Sequence, residues 1–171
     1  MSNIKTGEIA NFELLTGLAA KERETVCSLL KEKYYPEGKV IFNEGDQGGE
    51  IFFLLSGEVE ISQSLTLPMS KAADYDSRDK SIIRLSGENG AVFGEVSIFG
   101  DEDMRTATVT ALTDCRMGIL TEKDFFQILV SNKQIGYKIL LNLIRIVCDR
   151  LVTANKNVLK LTTALSLILE K

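Results

Sequence analysis

Three periodicities divide the chain. From Phe12 to Lys33 the apolar positions Leu14, Leu15, Leu18, Val26, Leu29 and Leu30 recur three and four apart, the spacing of one helical face. Helices are expected there. A second helical piece is expected to begin at Thr16 or Ala19. Glu22 and Glu24 would then stand early in it and Lys31 and Lys33 late, the order that the helix dipole favours.

From Tyr34 to Thr121 the period shortens to that of strands. The runs Tyr34–Tyr35, Val40–Phe42, Ile51–Ser56, Glu58–Gln63, Ile82–Leu85, Ala91–Phe93, Ala107–Ala111 and Cys115–Leu120 are separated by turn residues. Those turns are Pro36-Glu37-Gly38, Glu44-Gly45-Asp46, Gly48-Gly49, Ser56-Gly57, Gly87 and Gly90. Short strands at this spacing predict a small antiparallel barrel or jelly roll. Ser64 to Lys80 is polar and aperiodic, which predicts a long hairpin loop.

Beyond Glu122 the helical period returns. Thr121 and Asp124 resemble a capping box ahead of Phe125, Phe126, Ile128 and Leu129. Ser131-Asn132 can cap a further helix. No glycine or proline follows Gly136, so that helix is predicted to run from Lys133 to Leu169. It carries a heptad: Ile144, Leu151, Val158 and Leu165 on one seam position, Leu140, Val147, Ala154, Leu161 and Ile168 on the other. At about 1.5 Å per residue, such a helix overhangs a small domain. A parallel dimeric coiled coil is expected, the alternative being a helix laid along its own domain. The flanks Asn155, Asn157 and Thr162 carry little charge, which leaves a higher oligomer open. Leu159, Leu167 and Leu169 add apolar surface for an oligomer or for a partner protein. The expected class is therefore mainly β with flanking α. Residues 1–132 form a double-stranded β-roll with N-terminal helices, and residues 133–171 a C-terminal helix.

Composition narrows the function. The 171 residues suit one domain with a full core, alone or with an appended helix, and 44% hydrophobic with 26% charged residues is ordinary globular composition. The net charge of −4, with lysines and arginines interleaved among acids, shows no basic stripe for DNA. Cys27, Cys115 and Cys148 are odd in number and far apart, which predicts no disulfide framework and suits a reducing compartment. Met1 to Ala10 shows no secretory signal, and no apolar run approaches the roughly 18 residues of a membrane span. The cytoplasm is the expected location. Histidine is absent, which removes the commonest general acid/base and the commonest metal ligand. No catalytic residue, metal or cofactor is therefore assigned. A metal-dependent barrel enzyme would need a cluster of histidines and carboxylates.

The chemistry lies between Ala91 and Ala111, in AVFGEVSIFGDEDMRTATVTA. After Phe93, Gly94 permits a close backbone approach or positive φ. Val96, Ser97 and Ile98 fit the first turn of a short helix, whose free N–H groups would face an anion. Arg105 can fork onto phosphate oxygens, and Thr106 adds a hydroxyl. Glu95 can accept a hydrogen bond from a ribose hydroxyl and orient Arg105. Taken singly these residues are ordinary, since a Glu and an Arg ten apart usually sit on a solvated surface. Their order points to a cyclic phosphate and its ribose.

This segment resembles the phosphate-binding cassette of the cyclic-nucleotide-binding domain family, which includes the catabolite activator protein and the regulatory subunits of cAMP-dependent kinase. A second stretch, Tyr35 to Gly48 followed by Ile51 to Ser62, is similar to the family's first barrel strands. The resemblance spans Phe12 to Leu161. It implies a β-roll flanked by helices, with the last helix as a lid over the base. Gly94, Glu95, Arg105, Thr106 and Ala107 match the cassette, with Glu95 on the ribose, Arg105 on the phosphate and Ala107 acting through its N–H. Met104 replaces a proline often found before the arginine, and two extra residues stand between Leu85 and Gly90.

The resemblance also implies a ligand, cAMP or cGMP. Thr106 resembles the cGMP-responsive members, whereas the ten-residue spacing from Glu95 to Arg105 resembles the bacterial activator and favours cAMP. Ile61, Ile83 and Leu85 are expected in the purine slot, ordinary barrel core being the alternative. Alignment on Arg150-Leu151 sets Ala154 and Asn155 at the base. Asn155 or Thr153 would then read it, because an amide both donates and accepts. The alternative for Asn155 is a solvated coiled-coil flank. Where family transcription factors carry a winged helix, this chain stops at Lys171. The expectation is therefore a receptor that neither binds DNA directly nor catalyses, signalling through a homodimer on the C-terminal helix or through an unknown partner protein. A degenerate, non-binding interaction module of the same fold is the alternative.

Overall fold

The computed structural model describes residues 4–65, 78–100 and 103–169. The strand periodicity is realised as β1 Lys31–Tyr35, β2 Val40–Phe42, β3 Glu50–Ser56, β4 Glu58–Leu65, β5 Arg78–Ser86, β6 Val92–Phe93, β7 Thr108–Ala111 and β8 Cys115–Thr121. They pair antiparallel into two four-stranded sheets, β1-β8-β3-β6 and β2-β7-β4-β5. This is the expected jelly roll.

β3 shows how the sequence specifies two cores. Phe52 and Leu54 point into the roll, with Val59, Phe93, Val109 and Met117. Ile51 and Phe53, one residue out of step, point to the outer layer of helices, with Phe12, Leu15, Val26 and Phe125. Alternation along a strand sends successive side chains to opposite faces. Here both faces are covered, so Ile51 to Leu54 are buried without a break.

The N-terminal helices are shorter than the periodicity implied. Glu13–Leu15 is a single 3-10 turn, and α1 spans Ala20–Leu29. Of the two expected starts the later one holds: the Glu22 carboxylate accepts from the Ala19 N–H at 2.7 Å. Lys31 and Lys33 do not close the helix. They stand in β1, where Lys31 pairs with Ile119 and Lys33 with Met117, so the sheet ladder overrides the helical spacing. Leu30 makes the change at φ −70° and ψ 131°, with its side chain buried.

The expected hairpin loop is shorter at both ends, because Ser64 pairs with Asp79 and Leu65 with Arg78. Its centre, residues 66–77, lies outside the described residues.

The C-terminal elements follow the expectation closely. α3 spans Glu122–Ser131, and the Thr121 hydroxyl accepts from the Asp124 N–H at 3.2 Å while donating to the Asp124 carboxylate at 2.6 Å. The Asn132 side chain then accepts from the N–H groups of Gln134 and Ile135, at 3.1 Å each, and caps α4, Lys133–Leu169. The first part of α4 packs on the outer core through Ile135, Ile139, Leu143 and Ile146. Beyond Arg150 every described side chain is exposed. No helix among the described residues is long and apolar enough to cross a membrane.

Candidate functional site

The site forms where β6 hands over to α2, Val96–Phe99, and where the chain re-enters the sheet at β7. Gly94 makes the first turn at φ +87°. A Cβ there would lie 2.7 Å from the Glu50 carbonyl oxygen and 2.9 Å from Arg105 Nη1, so both conformation and space demand glycine. Glu95 follows, 3% exposed, at the start of α2.

Arg105 is held from both sides of its backbone. Its N–H donates to the Asp46 carbonyl and its own carbonyl accepts from the Gly45 N–H, both at 2.8 Å. Its guanidinium is buried. Nη1 donates to the Ser97 hydroxyl at 2.8 Å and lies 3.0 Å from the carbonyls of Glu50 and Gly94. Nη2 meets the Glu50 carboxylate at 2.6 Å. The Phe42 ring centre lies 4.3 Å from its central carbon. Gly48 makes room for the group, since a Cβ there would fall 2.0 Å from Nε. Nε itself is buried and has no hydrogen-bond partner among the described residues. Burial pulls the guanidinium pKa below its ordinary value, and the Glu50 carboxylate opposes that shift.

A second ion pair closes the site from above. Arg150, on α4, meets the Glu95 carboxylate at 2.5 Å and also donates to the Val92 carbonyl. The helix expected as a lid is thus fastened to the carboxylate expected on the ribose.

These groups surround a small open cavity of about 100 Å³. Phe93, Gly94, Glu95, Val96, Ser97, Arg105, Thr106 and Ala107 line it, as does Ile61. A second cavity shares Arg150 with the first and lies between the roll and α4. Ile83 and Leu85 line it from the roll; Asp149, Thr153, Ala154 and Asn157 line it from the helix. Ile61 thus lines the first cavity and Ile83 and Leu85 the second, although Ile61 and Ile83 are cross-strand partners in β4 and β5. Asn155 lines neither cavity and is exposed. At 3.6 residues per turn, one position along a helix turns a side chain by about 100°. That rotation carries Asn155 off the face that Thr153, Ala154 and Asn157 share.

Sequence reasoning missed Glu50, Phe42, Arg150 and Asn157. Arg150 had a legible signal: with the buried Asn142 and Ile146 it falls at i, i+4 and i+8, the inward face of α4. Glu50 had none, because only the fold brings it to Arg105.

Comparison with known proteins agrees with this geometry. Residues 32–132 match the family model described as the cyclic nucleotide-binding domain. The cyclic AMP receptor protein of Thermus thermophilus is 28% identical over 116 residues, which cover 68% of this chain and 48% of that protein. Glutaminase 1 of Bradyrhizobium diazoefficiens is 30% identical over 160 residues, 93% of this chain but only 23% of that protein. The chain thus spans half the length of these relatives or less. The crystal structure of Thermus thermophilus catabolite activator protein superimposes with a TM-score of 0.71 at 25% identity, covering 88% of this chain and 63% of that one.

Proposed function

The chain belongs to the cyclic nucleotide-binding domain family, and from that premise we propose that it is a cyclic-nucleotide receptor, for cAMP in preference to cGMP. The carrying observation is Arg105: a buried guanidinium whose Nε lacks a partner among the described residues, in the cavity that also holds the buried Glu95. A buried cation with spare donors suits an anion that supplies charge and acceptors together. In this reading the cyclic phosphate takes Arg105 and the N–H groups of Val96, Ser97 and Ala107. Glu95 accepts from the ribose 2′-hydroxyl. The purine extends toward Ile83 and Leu85, and Thr153 and Asn157 supply its polar contacts in place of Asn155. An amide offers both a donor and an acceptor, which matches the paired acceptor and donor of adenine.

Signalling follows from the lid. The ribose hydroxyl seeks the same carboxylate that holds Arg150, so ligand and lid helix are linked at Glu95. A ligand shifts conformation only through unequal affinity for two arrangements, and this shared carboxylate supplies the inequality. Residues 1–132 hold the ligand in this reading. Residues 133–171 carry the output, as a homodimer along the heptad seam or as the docking element for a partner protein, in the cytoplasm. The role is that of a receptor and not of a catalyst.

One observation favours the alternative of a module that no longer binds: Glu50 and Arg150 already pair the site's two charged residues within the protein. Calorimetric titration with cAMP, cGMP and cyclic dinucleotides separates the readings. Saturable binding of cAMP is expected, lost in Arg105→Ala, since truncating one member of a buried charged pair costs about 2–5 kcal/mol. Absence of binding to every one of these nucleotides would establish the non-binding module.

A further inference from the structure

Arg105 has more negative charge around it than its hydrogen bonds require. Nη1 already meets three neutral oxygens, the carbonyls of Glu50 and Gly94 and the Ser97 hydroxyl. Nη2 meets a full charge, the Glu50 carboxylate at 2.6 Å. The two side chains differ sharply in exposure, 3% for Arg105 and 44% for Glu50. Arg105 lines the ligand cavity and Glu50 does not. The carboxylate thus holds the guanidinium from outside the cavity, and an arriving anion need not displace it. Nε and the second hydrogen of Nη2 stay available to that anion.

The charges of the cavity are then close to balance. Arg105 and Arg150 are the basic residues of its lining and Glu95 is the acidic one. Arg150 is paired with Glu95, and Arg105 with Glu50. Asp46 adds a further negative charge near the guanidinium. A ligand with one negative charge meets one guanidinium shared with a carboxylate. A ligand with two negative charges meets the same guanidinium, and the lining offers it no second unpaired cation.

We propose, on the basis of the receptor reading above, that Glu50 is a specificity residue that selects the charge of the ligand. It admits a cyclic phosphodiester with one negative charge and disfavours the monoester formed when the ring is hydrolysed. A cyclic phosphate is a diester and carries a single charge. An open nucleotide is a monoester and carries close to two near neutral pH. Coulomb energy scales with ligand charge, so the Glu50 carboxylate repels the open form about twice as strongly. The base and the sugar are the same in both forms, so they give the site little else by which to tell the two apart.

Competition titrations against a fluorescent cAMP analogue, with cAMP and 5′-AMP at about pH 7.5, compare the parent with Glu50→Gln. The amide keeps an acceptor for Nη2, and two carbonyls and Ser97 still hold Nη1, so Arg105 keeps its place. Removing the charge is expected to tighten cAMP by about fivefold and 5′-AMP by about the square of that factor. The preference for the cyclic form then falls by about fivefold. Differences of shape between the two nucleotides are common to both proteins and cancel in this ratio. Glu50→Asp keeps the charge and is expected to keep the parent's ratio. An equal change for both nucleotides in Glu50→Gln, or a greater loss of cAMP, overturns the selection by charge and leaves the receptor standing, with Glu50 serving only to hold Arg105. Failure of parent and variant alike to bind either nucleotide or the analogue removes the receptor reading and this selectivity together.

Discussion

The two halves of α4 carry one uninterrupted heptad and yet live in different surroundings. Up to Arg150 the helix is bolted to the domain. Lys138 pairs with Glu22 at 2.8 Å, and the Asn142 amide donates to the carbonyls of Leu14 and Thr16 at 3.1 and 2.8 Å. Arg150 is the last of these fastenings. Past it, Leu151, Val158, Leu161, Leu165 and Ile168 stand 56 to 71% exposed. Burial in the first half uses a face offset from the seam, through Ile135, Ile139 and Ile146. The helix is thus two-sided for half its length and one-sided beyond. The seam stays open through both halves, and the domain covers only the offset face of the first.

That contrast can be broken most severely from the distal side. Leu151→Asp places an uncompensated charge in the seam, a cost of about 3–5 kcal/mol to the dimer proposed there. Sedimentation equilibrium is expected to show monomers. Thermal unfolding of the domain itself should stay within roughly ±0.5 kcal/mol of the parent at a concentration where both are monomeric, as for an exposed position. A large loss of domain stability would mean that the distal half is bound to its own roll.

The boundary comes next. Arg150→Ala leaves the 3%-exposed Glu95 without its cation. Arg150 is itself partly exposed, so the loss is expected below the range for a fully buried pair, at about 2 kcal/mol. Denaturant titration measures it. Hydrogen exchange of α4 should then show faster opening from Ile146 onward while the segment near Ile135 stays protected. Within the bolted half, Asn142→Leu strands two carbonyls and is expected to cost about 1–3 kcal/mol. An unchanged midpoint would show that these carbonyls find other partners.

The same contrast explains what the sequence made legible. β7 was readable because one alternating pattern decides both the strand and its two faces, and β3 because an unbroken apolar run bounded by turn residues suits a strand covered on both faces. α4 was readable to its ends, since Asn132 caps it and no breaker interrupts it. Gly94, Glu95 and Arg105 were readable because their spacing is local. Glu50 at Arg105 and Arg150 at Glu95 are contacts 55 residues apart, and neither partner's neighbourhood announces the other. The end of α1 was misjudged for a related reason: Lys31 and Lys33 fit a helix terminus in isolation, and only pairing with β8 makes them a strand.

The smallest expected effect tests the finest reading, and it sits just past the boundary. Asn157 and Asn155 are the same residue type, both exposed, two positions apart on one helix. Thr153 and Asn157 are four apart and line the second cavity together, whereas Asn155 is turned away from it. A single hydrogen bond to the base is worth about 0.5–1.5 kcal/mol. Asn157→Ala is therefore expected to weaken cAMP binding by roughly threefold to tenfold in calorimetry, and Asn155→Ala to leave it unchanged. The Thr153 hydroxyl already donates to the Asp149 carbonyl at 2.9 Å, so toward a ligand it can only accept. Thr153→Val should accordingly matter less than Asn157→Ala. If Asn155→Ala produced the larger loss, α4 would have to turn by a large part of a revolution on binding. The fastening at Arg150 would then have to give way before the ligand is read.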